Sequence, residues 1–220
     1  MQGEGMKPIR ADLWETRIDN PFPGLTTHAY LWTGGPTGNV LFYGTATEDD
    51  FDGIEALGGV SHQYLSHRDE AGPMLARLAA RFGARLHAPA AELDEIGAHA
   101  HVDVPLSTRH VDSCGIEVIP TPGHTPGSTC YLVPGAYGQT YLFTGDTIFL
   151  GDDGVWTAGY IPPISDAATL ADSLRTLATL KPDLVISSAF AGETAVHVSG
   201  GKWADCVAQA RERLSSSASA

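Results

Sequence analysis

Twice along the chain, a group of short strand-like runs is followed by helix-like runs, and this order limits the possible folds. In the first half, three runs are rich in β-branched and aromatic residues, at 9–18, 26–33 and 39–43. Met74, Leu78 and Phe82 then recur every four residues, which predicts a helix with one apolar face. Short strands at 62–66 and 84–88 lie on either side of that helix, and a small helix is predicted around 90–96.

The second half has the same order. Strands are predicted at 115–120, 128–133, 141–144 and 184–187, and helices at 170–177 and 203–214. Periodicity alone predicts one α/β domain over residues 1–220, with a frayed tail at 215–220. Two halves of strands followed by helices suggest an αββα sandwich, in which two packed sheets have helices outside.

Composition narrows the classes of partner. The 220 residues include 13 lysines and arginines against 26 acidic residues, a net charge of −13. This balance argues against nucleic acid or an anionic membrane as a partner. The partner that we expect is a small-molecule substrate. The three scattered cysteines favour a reducing compartment, and no apolar leader or membrane-spanning run is visible. We therefore expect a cytoplasmic protein, and a homo-oligomer is left open.

Three segments place metal-ligating side chains directly after predicted strands. The segment QYLSHRDEAG carries His67, Asp69 and Glu70; PTPGHTPGSTCYLV carries His124; and TYLFTGDTIFL carries Asp146. Imidazole and carboxylate groups fixed on rigid elements are suited to holding a cation.

Each segment also has an ordinary structural interpretation. Ser66 could cap a helix with Asp69 as its acidic partner, and His124 could be a turn residue that caps a carbonyl. Asp146 could be a helix cap or a turn residue. Trp156 and Tyr160, in the loop after Asp146, could form a wall over a site or could anchor that loop in the core.

Together the segments, in the order His…GHTPGS…TGD, resemble the metallo-β-lactamase superfamily over nearly the whole chain. The family signature HxHxDH is degenerate here, because the corresponding segment reads LSHRDEAG. In one alignment His67 is the first histidine of the signature. In the other it is the second, Leu65 replaces the first, and Glu70 replaces the last. The histidine that follows the last core strand in the family is also missing, and His197, farther along, is expected to be a surface or packing residue.

The resemblance implies a site for one divalent metal (zinc, iron or manganese) or for none. A two-metal site needs roughly six or seven protein ligands. The candidates here are His67, Asp69, Glu70, His124 and Asp146. The implied activity is hydrolysis of an ester, thioester or lactone, with Asp69 as the catalytic residue that orients or deprotonates the attacking water.

Two alternatives accompany the hydrolase. One is a non-catalytic member of the fold, whose empty site serves binding or interaction. The other is a mononuclear non-haem iron oxygenase, because His67, His124 and Asp146 match the iron site of the related persulfide dioxygenases.

Overall fold

Two β-sheets pack face to face between two layers of helices in the computed structural model of the chain, which describes residues 5–22, 25–190 and 194–218. The strands of the first half are β1 (Lys7–Arg10), β2 (Leu13–Glu15), β3 (Asp19–Phe22), β4 (Leu25–Thr27), β5 (Tyr30–Trp32), β6 (Val40–Phe42), β7 (His62–Tyr64), β8 (Arg85–Pro89) and β9 (Val104–Leu106). Those of the second half are β10 (His110–Val111), β11 (Glu117–Pro120), β12 (Thr129–Pro134), β13 (Thr140–Gly145), β14 (Ile148–Leu150), β15 (Trp156–Ala158), β16 (Leu184–Ser187), β17 (Ala189–Phe190) and β18 (Val196–Val198). The helices are α1 (Phe51–Ala56), α2 (Met74–Phe82), α3 (Leu93–Gly97), α4 (Ala167–Leu177) and α5 (Trp203–Ser217).

Each half of the chain builds one large sheet. The first has the order β1-β2-β5-β6-β7-β8-β9, and the second has the order β10-β11-β12-β13-β16-β18. Strands β6, β7, β8 and β9 are parallel to one another, as are β13 and β16, and the other pairs within these sheets are antiparallel. The remaining described strands form two smaller sheets, β14-β15 and β17-β4-β3.

Aromatic side chains fill the space between the two sheets. Phe42 of the first sheet stacks on Phe143 of the second, with ring centroids 3.9 Å apart. Tyr64 meets Tyr131 edge-on at 5.3 Å. Because successive strand residues point to opposite faces, Tyr131 and Val133 enter this inner core while Cys130 faces the helices outside. Both faces of the sheets are therefore covered, as the αββα sandwich predicted from the sequence requires.

Amphipathic helices cover the outer faces. Leu170, Leu174 and Leu177 of α4 pack with Trp203 and Val207 of α5 on the second sheet. On the first sheet, Leu78 of α2 packs with Ile54 of α1 in one cluster, and Leu75 packs with Ile96 of α3 in another. Leucines at intervals of three and four residues place one apolar stripe against the sheet, so the spacing seen in the sequence accounts for these helices.

Several boundaries differ from the sequence predictions. The predicted strand 9–18 is divided by a turn at Ala11 and Asp12 into β1 and β2. Helix α5 continues to Ser217, although a frayed tail was predicted from residue 215; the hydroxyls of Ser215 and Ser216 donate to carbonyls four residues earlier and continue the last turn. The last two residues of that predicted tail, 219 and 220, lie outside the described residues. Among the described residues, no helix is long and apolar enough to cross a membrane.

Candidate metal centre

Three strand ends bring the predicted donors to one edge of the sandwich. His67 follows β7 of the first sheet, His124 follows β11 of the second, and Asp146 directly follows β13. Strands β11 and β13 are both antiparallel to β12, so they run in the same direction and end at the same edge of their sheet. The packing of the two sheets then places His67 opposite the other two side chains.

The donor atoms converge on one point. The rings of His67 and His124 are 4.9 Å apart between centroids, at an interplanar angle of 78°. The Nε2 atom of His67 is 3.8 Å from Asp69 Oδ2 and 3.7 Å from Asp146 Oδ2. His124 Nε2 is 3.9 Å from Asp146 Oδ2. Protein ligands lie ~2–2.3 Å from a bound zinc, so atoms at these separations can share one ion. His67 and His124, both candidate ligands from the sequence, therefore lie close together.

The two imidazoles present unpaired nitrogens to that point. His67 Nε2 and His124 Nε2 are both buried and, within the described part of the chain, have no hydrogen-bond partner. In each ring Nδ1 is engaged: that of His124 donates to the Gly159 carbonyl at 2.7 Å, and that of His67 lies 2.9 Å from Ser66 Oγ. Bonding through Nδ1–H leaves the lone pair on Nε2, which is the form that binds a metal. Buried polar atoms without partners are rare, and a cation between the rings would satisfy both.

Glu70 lies on the far side of His67 from this point. Its carboxylate accepts from the Ser66 backbone N–H at 2.7 Å and from the Ser66 hydroxyl, and it lies 3.3 Å from His67 Nδ1. The structure therefore places Glu70, a candidate ligand from the sequence, where it orients the imidazole. Residues 68–70 form a single 3-10 turn without a side-chain cap, so the alternative in which Ser66 caps a helix with Asp69 is not found.

Carboxylates dominate the electrostatics around His67. Burial lowers the pKa of its imidazole, but the hydrogen bond and charge of Glu70, with two further carboxylates nearby, outweigh burial and raise that pKa to about 9. For His124, burial and the neighbouring His67 imidazole lower the pKa. The surplus of negative charge at His67 favours the presence of a cation.

Two glycines allow the close approach of the donor loops. Gly145, in the TGD segment, has φ +52°, and a Cβ there would lie 2.0 Å from Ser66 Oγ. A Cβ on Gly159 would lie 2.0 Å from the Asp146 carbonyl oxygen and 2.9 Å from His124 Nδ1. Any larger residue at either position would push the donors apart.

Two positioning residues were not found by sequence reasoning. Glu92 is fully buried, and its carboxylate accepts from the backbone N–H of Arg68 at 2.7 Å and from that of Gly127 at 2.9 Å. It thereby ties the loop of His67 to the loop of His124. Ser188, directly after β16, donates to Asp146 Oδ1 at 2.5 Å. The only sequence signal for Ser188 is its place after a core strand, and Glu92 has none, because its partners are distant in the chain.

Other predicted residues lie away from the centre. Leu65 is fully buried with Leu75 and Leu86 on the helical side of the first sheet. His197 is a packing residue, with its ring edge-on to Trp156 at 5.5 Å. Trp156 and Tyr160 belong to the core cluster under α4 and α5, so these aromatics anchor their loop.

A cavity of about 710 Å³ opens onto the donors. His67, Asp69, Glu70, His124 and Asp146 line it. The rest of the lining comes from the segments 27–28, 43–46, 71–74 and 188–189 and from Ile161. This volume accommodates a small organic molecule.

These observations define the class of protein: an αββα sandwich with a candidate metal site at one edge of its sheets. The sequence profile of the metallo-beta-lactamase superfamily matches residues 55–189, and the chain belongs to that superfamily.

Known proteins are similar to the chain in sequence or in fold. Hydroxyacylglutathione hydrolase of Acidiphilium cryptum (strain JF-5) is 31% identical over 137 residues, which cover 61% of this chain and 52% of that protein. The chain thus matches about half the length of that relative. A metallo-beta-lactamase from Pontibacter korlensis has a TM-score of 0.72 at 20% identity, covering 96% of this chain and 98% of that one. One from Cronobacter sakazakii with a HARLDQ motif has a TM-score of 0.67 at 20% identity, covering 92% and 94%.

Proposed function

We propose that the chain is a metal-dependent hydrolase that holds one divalent metal and cleaves a small ester, thioester or lactone. The observation that carries the proposal is the pair of buried, unpartnered Nε2 atoms of His67 and His124, which face Asp69 and Asp146 across 3.7–3.9 Å. Zinc, iron(II) and manganese(II) all accept two imidazoles and a carboxylate. The named activity of the Acidiphilium cryptum relative supports hydrolysis as the reaction class.

The two aspartates suit different tasks. Asp146 follows a core strand, is 24% exposed, and is fixed by Ser188, so we assign it as the third ligand. Asp69 is 58% exposed on a single turn beside the cavity, so it can orient the attacking water and accept its proton. A bound divalent metal supplies Lewis acidity and lowers the pKa of bound water. The water oxygen adds to the acyl carbon as Asp69 takes its proton; collapse of the tetrahedral adduct breaks the bond to the alcohol oxygen or thiol sulfur, which takes that proton. The products are a carboxylic acid and an alcohol or thiol, or a hydroxy acid from a lactone.

Metal content tests the single-site assignment. Protein purified from medium supplemented with zinc, iron and manganese and then dialysed should contain about one equivalent of one of these metals, as measured by elemental analysis. A ratio near two would show that further ligands were overlooked. A ratio near zero would favour the non-catalytic alternative.

Variants test the individual roles. His124→Ala and Asp146→Ala should abolish metal binding in calorimetric titrations, because two remaining ligands hold a metal poorly. Glu70→Ala should weaken binding about 10- to 100-fold without abolishing it, because it removes only the partner of His67 Nδ1. Loss in Glu70→Ala equal to that in His124→Ala would make Glu70 a ligand instead.

Asp69→Asn separates catalysis from binding. We expect this variant to keep its metal while kcat for phenyl ester hydrolysis falls about 100-fold or more, the scale of a lost general base. Unchanged kcat with the metal retained would remove Asp69 from the mechanism.

A further inference from the structure

The cavity above the donors has apolar walls. Ala46, Ala71, Pro73, Met74 and Ala189 line it with carbon-rich side chains. At its mouth Ile161 lines the cavity and is still 51% exposed, and Ile164, on the same loop, is 52% exposed. A cavity with an apolar lining and a half-exposed isoleucine at its edge is suited to contact with an apolar ligand.

The charged groups of the cavity are all of one sign apart from its imidazoles. Asp69, Glu70 and Asp146 line it, and no lysine or arginine does so among the described residues. All 13 lysines and arginines of the sequence lie within the described ranges.

The cations nearest in sequence to the donors lie outside the cavity lining. Arg68, directly after His67, pairs with Glu95 at 2.8 Å, and its Nε lies 4.0 Å from Asp69 Oδ1; Arg77 of α2 pairs with Glu48. With one divalent metal present, the three carboxylates that line the cavity leave its lining with a surplus of one negative charge, which Arg68 offsets in part at the outer oxygen of Asp69. Anionic ligands are repelled by such a site, since like charges in a partly enclosed space are poorly screened.

We propose that this cavity selects substrates with an uncharged, apolar acyl group and rejects those whose acyl group carries a carboxylate. The proposal rests on the proposed hydrolase function for its chemistry. Its physical basis does not depend on that function: the cavity has an apolar lining, Ile161 at its edge and three carboxylates. The unpartnered Nε2 atoms of His67 and His124, whose side chains are each 2% exposed, mark where the ligand's polar end is bound.

Matched ligands test the selectivity. Hexananilide and the monoanilide of adipic acid differ only in a terminal carboxylate. Calorimetric titration of zinc-loaded protein should show the neutral amide binding at least tenfold more tightly, and the preference should shrink at 1 M salt. Phenyl hexanoate and monophenyl adipate should differ at least tenfold in kcat/KM in the same direction. Equal or tighter binding of the anion, or binding of neither amide, would overturn the proposal.

Charge introduced at the rim gives a second test. Ile161→Lys should improve binding of the adipic monoanilide about fivefold or more. Ile164→Lys is the matched control: it adds the same charge to the same loop at equal exposure, but residue 164 does not line the cavity, so it should improve binding less. Equal effects of the two lysines would show that the cavity wall does not determine selectivity.

The two proposals fail in different ways. Selective binding of the neutral amide without hydrolysis of either ester would refute the hydrolase and leave the selectivity intact. Hydrolysis of both esters at equal rates would refute the selectivity and leave the hydrolase intact.

Discussion

Substitution of Glu92 should affect stability and metal binding together. Its fully buried carboxylate accepts two backbone hydrogen bonds, one from each histidine loop. Hydrogen bonds to a charged group contribute ~1.5–3 kcal/mol each. Glu92→Gln replaces one acceptor by an N–H donor that faces a backbone N–H, so the free energy of unfolding should fall by about 2–4 kcal/mol.

The metal affinity should fall as well, because the two loops carry His67 and His124. Outer partners of metal ligands typically contribute 10- to 100-fold to affinity, and we expect a loss in that range. Urea denaturation in the presence of a chelator measures the stability of the metal-free protein, and calorimetric titration with zinc measures the affinity.

Glu95→Gln provides a matched control three residues away. Glu95 is exposed and pairs with the Arg68 side chain at 2.8 Å, and exposed ion pairs contribute less than ~1 kcal/mol. If Glu92→Gln were no more destabilising than Glu95→Gln, and bound zinc equally well, the bridging role of Glu92 would be refuted.

Three further outcomes are expected. Burial and the adjacent imidazole of His62 lower the pKa of His87 to about 4, so the unfolded chain takes up a proton near pH 6.5 while the folded chain does not. This group should therefore lower the free energy of unfolding by about 3 kcal/mol between pH 6.5 and 4 in urea denaturation, and His87→Phe should reduce that slope without removing it, because burial also lowers the pKa of His62. Gly159→Ala should abolish zinc binding in calorimetry while the chain stays folded by circular dichroism, since the added carbon meets the Asp146 carbonyl at 2.0 Å. Ser188→Ala should weaken zinc binding about tenfold, and an unchanged affinity would show that β13 alone fixes Asp146.

Local patterns in the sequence predicted much of the fold. Helix α2 lies at Met74–Phe82 and β16 at Leu184–Ser187, as predicted, because apolar spacing and continuous apolar runs directly reflect burial. The hairpin β14–β15 was not predicted, because the glycine and aspartate residues at 151–154 separate its two strands, which are only three residues long each. Helix α1 begins at Phe51, whose side chain packs in the core cluster under α1 and α2.

The candidate site was predictable to the extent that strand ends determine position. His124 and Asp146 follow strands that run in the same direction, so their proximity follows from topology. The orientation of Glu70 toward His67 Nδ1 depends on one turn of backbone that no periodicity encodes. The bridge made by Glu92 depends on two loops that meet only after the sheets pack.

The division of the sandwich into two sequential halves makes the chain suited to fragment complementation. The seven-stranded sheet is built entirely from residues 7–106 and the six-stranded sheet from residues 110–198. A chain cut at residues 107–109 would leave His67 and Asp69 on one fragment and His124 and Asp146 on the other. Neither fragment alone contains two imidazoles from this donor set, so metal capture would report the reassembly of the split protein.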